Sequence, residues 1–124
     1  MIPIPVVLVI LGAVYLAIVL RTAWRLTHPD REFVPEGYAD TDLPLERIRL
    51  LSRDGHAIAS WIARRPEAPG TVVFSHGAWT NHREMESRAA ALWERGFNVL
   101  LFDYRGCGES AGSVTTLGLR EVDD

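Results

Sequence analysis

The sequence predicts an α/β chain, in which one membrane-spanning helix precedes the first strands and the crossover helix of a sheet with a parallel pair. Three observations carry this. Ile2 to Leu20 contains no charged or strongly polar side chain. Thr71-Val72-Val73-Phe74-Ser75 and Phe97-Asn98-Val99-Leu100-Leu101-Phe102 are short apolar runs of strand type, with an amphipathic helical stretch between them. Each run is closed by a glycine turn, His76-Gly77-Ala78-Trp79 after the first and Asp103-Tyr104-Arg105-Gly106-Cys107-Gly108-Glu109-Ser110 after the second. Strand, crossover helix, strand is the pattern of a parallel pair.

Residues 1–26 form the first unit. Pro3 and Pro5 suit the first turn of a helix, and a helix from Pro5 to Leu26 would be roughly 33 Å long, enough to cross a ~30 Å hydrocarbon layer. A cleavable secretory signal should open with basic residues and close with small ones, and neither is visible. Arg21 and Arg25 follow the span and no Lys or Arg precedes it. The positive-inside rule then makes this a single-pass membrane protein with its soluble part in the cytoplasm. Trp24 lies where an interfacial aromatic would.

Residues 27–44, rich in Pro, Asp, Glu and Gly, read as a linker. From Leu45, Ile48 and Leu50 alternate with Arg47 and Arg49 as in a strand with one buried face. Ser52-Arg53-Asp54-Gly55 is a hairpin turn, because Asp-Gly readily supplies a positive φ. His56 to Ala63 is the returning strand, and Arg64 to Gly70 a surface loop. Asn81 can cap the crossover helix of about fourteen residues, with Glu84 three places on completing a capping-box pattern. Met85, Ala89, Leu92 and Trp93 form its apolar stripe, and Gly96 stops it. Leu119 and Val122, three residues apart, predict the opening of a second crossover helix over 117–124.

Composition excludes several classes. The net charge of −3 sets thirteen arginines, with no lysine, against sixteen carboxylates without blocks, so there is no basic footprint for nucleic acid. Cys107 is the single cysteine, which excludes an intramolecular disulfide and a cysteine-rich zinc site. His28, His56, His76 and His82 show no metal-ligand spacing, and no metal or cofactor is expected.

The pair of strand-turn signals, His76-Gly77 after one strand and D-x-R-G-x-G-x-S after the next, resembles the amino-terminal part of the α/β-hydrolase fold. The resemblance runs over residues 45–124 and is to the serine aminopeptidase and monoacylglycerol-lipase-like branch, which includes membrane-anchored members. It implies a partial α/β-hydrolase fold behind one transmembrane helix. In such enzymes two backbone N–H groups hold the oxyanion, one of them from the loop after the first of these strands. The resemblance assigns that role to the N–H of Ala78, in a turn that Gly77 makes possible. It makes His76, Asp103, Arg105, Gly106, Gly108 and Ser110 turn residues near the site.

Gly108-Glu109-Ser110-Ala111-Gly112 matches the nucleophile-elbow motif G-x-S-x-G in letters only. An elbow needs a strand running into its first glycine and a helix opening just after the serine. Here five residues separate the strand from Gly108, and Ser113-Val114-Thr115-Thr116 opens a helix poorly. No histidine follows Ser110, although the family's triad order is serine, acid, histidine. The resemblance implies that the elbow, the acid and the base lie beyond Asp124. It also implies that the strand Thr71 to Ser75 pairs on its outer side with the elbow strand, and is an apolar edge without it.

The expectation is the amino-terminal portion of a membrane-anchored serine hydrolase. It would act in its full-length form on an ester, lipid or peptide-like acyl bond, and be catalytically incomplete as 124 residues. Its partners would be the lipid bilayer and a small acyl substrate. The alternative is a short single-pass membrane protein whose hydrolase-like part is a non-catalytic interaction module.

Overall fold

The structure, a computed structural model, describes residues 3–31 and 41–124. Residues 32–40 of the expected linker lie outside the described residues. Helix α1 (Ile4–Thr27) starts at Pro3, carries Pro5 in its first turn and buries none of its residues. It is long and apolar enough to be a candidate membrane span.

Strands β1 (Glu46–Leu51), β2 (Ala57–Ala63), β3 (Thr71–Ser75) and β4 (Asn98–Phe102) form one sheet in the order β1-β2-β4-β3. The sheet is mixed. β1 and β2 are an antiparallel hairpin in which Glu46 faces Ile62 and Leu51 faces Ala57. β2 runs antiparallel to β4, and β3 runs parallel to β4 with Val73 opposite Leu100. The hairpin turns at Gly55, whose φ of 86° requires the left-handed region that glycine enters freely.

The two strand faces predicted for β1 are only weakly distinguished. Ile48 is half-buried, while Leu50 stays 39% exposed, because β1 is an edge strand. β3 is the other edge, and its Val73 is 58% exposed.

Between β3 and β4 a 3-10 turn (His82–Met85) runs into helix α2 (Glu86–Glu94). Met85 and Ala89 bury against Ala63, Val99 and Leu101, with Leu92 and Trp93 packed beside them. Fully burying side chains such as Val99 and Leu101 contributes about 1.5–3 kcal/mol each. Gly96 ends α2 with φ 98° and donates to the carbonyl of Trp93.

Two local expectations are corrected. Asn81 does cap the 3-10 turn, accepting from the N–H of Arg83 at 3.1 Å, but Glu84 is engaged elsewhere. Its carboxylate turns to Gly77 and Thr80. The second crossover helix is also absent over 117–124, where only a 3-10 turn (Glu121–Asp123) forms. Leu117 and Gly118 take positive φ there, and the Glu121 carboxylate folds back onto Thr116 and Gly118, which closes a turn.

Candidate functional site

The loop after β3 and the loop after β4 meet at one end of the parallel pair. They line a cleft of about 490 Å³ whose walls include His76, Ala78, Trp79, Tyr104, Cys107 and Leu117. The carboxyl ends of parallel strands are where open α/β sheets place their ligands.

His76 is buried and bridges the two loops. Its Nε2 lies 3.0 Å from the backbone N–H of Tyr104 and therefore accepts. That fixes the tautomer: Nδ1 carries the proton and donates to the carbonyl of Gly77 at 2.7 Å. Both ring nitrogens are thus engaged within the fold. Tyr104 also packs edge-on against the imidazole, with ring centroids 5.1 Å apart.

This contact orients Ala78. A trans peptide plane points its C=O and its N–H in opposite directions, and the described chain has no cis peptide. Holding the Gly77 carbonyl at the His76 ring directs the Ala78 N–H away from it. Ala78 is exposed at the cleft, and its N–H has no hydrogen-bond partner among the described residues.

Glu84 anchors the same loop from below. Its Oε2 accepts from the N–H of Gly77 at 2.7 Å and from the Thr80 hydroxyl at 2.6 Å. A Cβ at Gly77 would sit 3.1 Å from that oxygen, so the absence of a side chain is what lets the carboxylate approach. Burial raises the pKa of Glu84, but the bonds from Thr80 and Gly77 outweigh it and hold the group below its ordinary 4.5. Trp79 completes the turn with φ 62°, a left-handed conformation uncommon outside glycine, and its indole N–H donates to the carbonyl of Leu26 at 3.0 Å.

The loop after β4 is organised by Asp103, which is fully buried. Its Oδ1 accepts from both the backbone N–H and Nδ1 of His82, at 2.6 and 2.9 Å, and its Oδ2 from the N–H of Glu109 at 2.9 Å. Burial pushes its pKa up, but the bonds from His82 and Glu109 prevail and keep it below the usual carboxylate range. Gly108 lies so close that a Cβ there would fall 2.0 Å from Oδ2. Gly106, at φ 73°, is also crowded, since a Cβ there would stand 2.9 Å from the backbone of Val114.

Arg105 is 3% exposed and holds the loop to the hairpin. It makes a two-pronged bond to Asp54 at 2.6 and 2.9 Å, and its Nε and backbone N–H both reach Asp124 at 2.8 Å. Asp54 is held well below the carboxylate range first of all by the Arg105 guanidinium.

Ser110 is 1% exposed. Its hydroxyl donates to the Asp103 carbonyl and accepts the N–H of Ala59 at 2.9 Å. The hydrogen a base would remove is therefore committed to a backbone oxygen. His82, the other histidine near the loop, stacks on Trp61 with ring centroids 3.6 Å apart and faces Asp103 and Glu86. Cys107 is buried and its thiol is pushed up to about 11, chiefly by burial and then by Asp103, so it stays protonated at neutral pH. No group of three or more metal-ligating side chains occurs among the described residues.

Sequence reasoning singled out Ala78, Gly77, His76 and the glycines of the second loop. It missed the work of Glu84, Trp79 and Tyr104. Glu84 carried a local signal that pointed to the wrong partner. Trp79 carried a weak one, a large aromatic in a polar turn.

No protein-family profile matches the chain. Over 79 residues it is 32% identical to the uncharacterized protein YfhR of Escherichia coli K12, covering 60% of this chain and 28% of that protein. YfhR of Salmonella typhimurium is 36% identical over 87 residues, covering 66% and 30%. Among solved structures, an esterase of Pyrococcus furiosus, Pf2001, superimposes with a TM-score of 0.66 at 27% identity, over 81% of this chain and 38% of that one. The α/β hydrolase GrgF from a Penicillium species gives 0.51 at 26% identity, over 56% and 25%. The chain therefore spans well under half the length of the proteins it matches. Its sheet and crossover helix are similar to those of α/β-hydrolases.

Proposed function

We propose that this chain is the front part of a membrane-anchored serine hydrolase of the α/β-hydrolase superfamily, whose complete form cleaves an ester or related acyl bond. The observation that carries this is the N–H of Ala78, which has no hydrogen-bond partner among the described residues. It is displayed in the cleft by a loop that His76, Glu84 and Trp79 hold from three directions. A preorganised amide of this kind is worth most where negative charge develops in a water-poor site. The likeness to an esterase over 81% of the chain supports acyl transfer as the chemistry.

On this reading a serine outside these 124 residues attacks the acyl carbon, and an acid and a histidine also outside them move its proton. Ala78 N–H is one of two donors to the oxyanion. Asp103, Arg105, Gly106, Gly108 and Ser110 build the neighbouring loop and take no part in bond making. Helix α1 anchors the domain to the bilayer, with the soluble part on the cytoplasmic side.

A second reading rests on one specific observation. The Ser110 hydroxyl and both ring nitrogens of His76 are engaged within the fold, and the His82 ring lies stacked on Trp61 with Nδ1 on Asp103, so none of these side chains is paired with another as nucleophile and base. That favours a membrane-bound, non-catalytic hydrolase-like module if the natural chain has no further catalytic part. Reading the native transcript past the codon for Asp124 separates the two. An open frame leading to a strand-borne G-x-S-x-G, then an acid and a histidine, supports the enzyme; a stop codon there defeats it.

A further inference from the structure

The last turn of α1 is tied directly to the cleft. The C-terminal carbonyls of a helix have no partners within it and need donors from elsewhere. Here Leu26 receives the indole N–H of Trp79 at 3.0 Å, and Thr27 receives the backbone N–H of Thr115 at 2.9 Å. Both donors belong to cleft-lining residues, one in each loop. The domain caps its own amino-terminal helix with the loop that presents Ala78.

Helix length then fixes the level of the cleft relative to a membrane. The 24 residues of α1 extend about 36 Å, which exceeds a ~30 Å hydrocarbon layer. The excess places the final turn, with Arg25 and Leu26, among the lipid headgroups, where an arginine can extend its charge toward phosphate. Anything within hydrogen-bonding distance of Leu26 and Thr27 lies at that level too. Trp79 is 41% exposed, Leu26 42% and Leu117 56%, an apolar rim at the site where amphipathic aromatics favour the interface.

We propose that the cleft face rests on the bilayer surface, with Trp79 seated at headgroup level and the lipid surface as the partner of this face. The inference rests on the reading of α1 as a membrane anchor. It goes beyond anchoring, because a tether alone would leave the cleft free to face any direction. A substrate reaching Ala78 from that surface would be an amphiphile whose acyl group lies at the headgroup boundary.

Depth-dependent fluorescence quenching tests this without requiring activity. The full chain is reconstituted in phosphatidylcholine vesicles brominated either near the carbonyl end or near the methyl end of the acyl chains. The Trp79 emission is taken as the difference between wild type and Trp79→Phe, and the Trp24 emission likewise from Trp24→Phe. Circular dichroism is run on both variants to verify that they retain the wild-type fold. The expected result is a loss of most Trp79 emission with shallow bromines and little loss with deep ones. Quenching of Trp24 with none of Trp79 overturns the seated cleft while leaving the anchor intact. Quenching of neither overturns both. A variant that loses the fold is replaced by a nitroxide on Leu117→Cys, read for accessibility to oxygen against a water-soluble relaxant. Preferential relaxation by the water-soluble agent counts against the proposal. None of these outcomes bears on whether the complete protein is a hydrolase, which fluorophosphonate labelling decides separately.

Discussion

His76 holds the carbonyl of Gly77 at 2.7 Å through Nδ1, while its Nε2 takes the N–H of Tyr104 at 3.0 Å. One imidazole thereby fixes the peptide plane that carries the Ala78 N–H and joins the two cleft loops. Replacing it with Phe keeps a ring but leaves the Tyr104 N–H without an acceptor. The expected cost is toward the lower end of about 1–3 kcal/mol in unfolding free energy, the penalty of an unsatisfied donor that is partly buried. Chemical denaturation measures it, and an unchanged midpoint would remove His76 from this role.

Glu84 makes the loop sensitive to acid in a definite window. Its folded pKa lies below 4.5, so its contribution is fully present above that value and is lost as pH falls through the lowered one. The Gly77 amide resonance should hold its position down to pH 4.5 and move only below it. In Glu84→Gln the same resonance should show no titration. A shift centred above 4.5 would contradict the bond.

Gly108 and Gly70 should respond oppositely to alanine. A Cβ at Gly108 would stand 2.0 Å from the Asp103 carboxylate at φ 44°, whereas at Gly70 nothing lies within 4 Å. Gly108→Ala should lose more than about 2 kcal/mol, because strain and displacement of a buried carboxylate add. Gly70→Ala should change stability by less than about 1 kcal/mol. Thermal unfolding of the two variants side by side checks the contrast.

Glu121 is the second acid-sensitive point. Burial raises its pKa, but the N–H groups of Thr116 and Gly118 and the Thr116 hydroxyl bring it down to about 2. The turn it closes is stable above pH 4.5 and should open as pH falls toward about 2. Amide exchange at Thr116 and Gly118 reports the opening. Exchange independent of pH after correction for intrinsic rates would refute it.

What the sequence revealed, and what it hid, follows from the range of the interactions. The hairpin at Asp54-Gly55, the β3-α2-β4 unit and the stripe through Met85 and Ala89 depend on neighbours a few residues apart, and periodicity exposes them. Glu84 shows the limit. Three residues after Asn81 it has the spacing of a cap, but the donor it satisfies is Gly77, brought close by the tertiary path of the loop. The expected helix near Leu119 failed similarly, since two apolar residues at helical spacing do not outweigh Leu117 and Gly118 in left-handed conformations. The hydrogen bond from Trp79 to Leu26 spans 53 positions and leaves no local trace. Within the site, the glycines were legible because crowding forbids side chains there. The hydrogen bonds of His76 to Tyr104 and of Ser110 to Ala59 join residues 28 and 51 positions apart, and local pattern carries no sign of them.

The most direct test of the proposed function is to treat the intact protein, in the membranes where it occurs, with a fluorophosphonate probe and map the modified serine by peptide mass. The expected result is a single labelled serine in a G-x-S-x-G segment outside these 124 residues, with Ser110→Ala leaving the labelling in place. A protein that takes no label, or one whose label sits on Ser110, would contradict it.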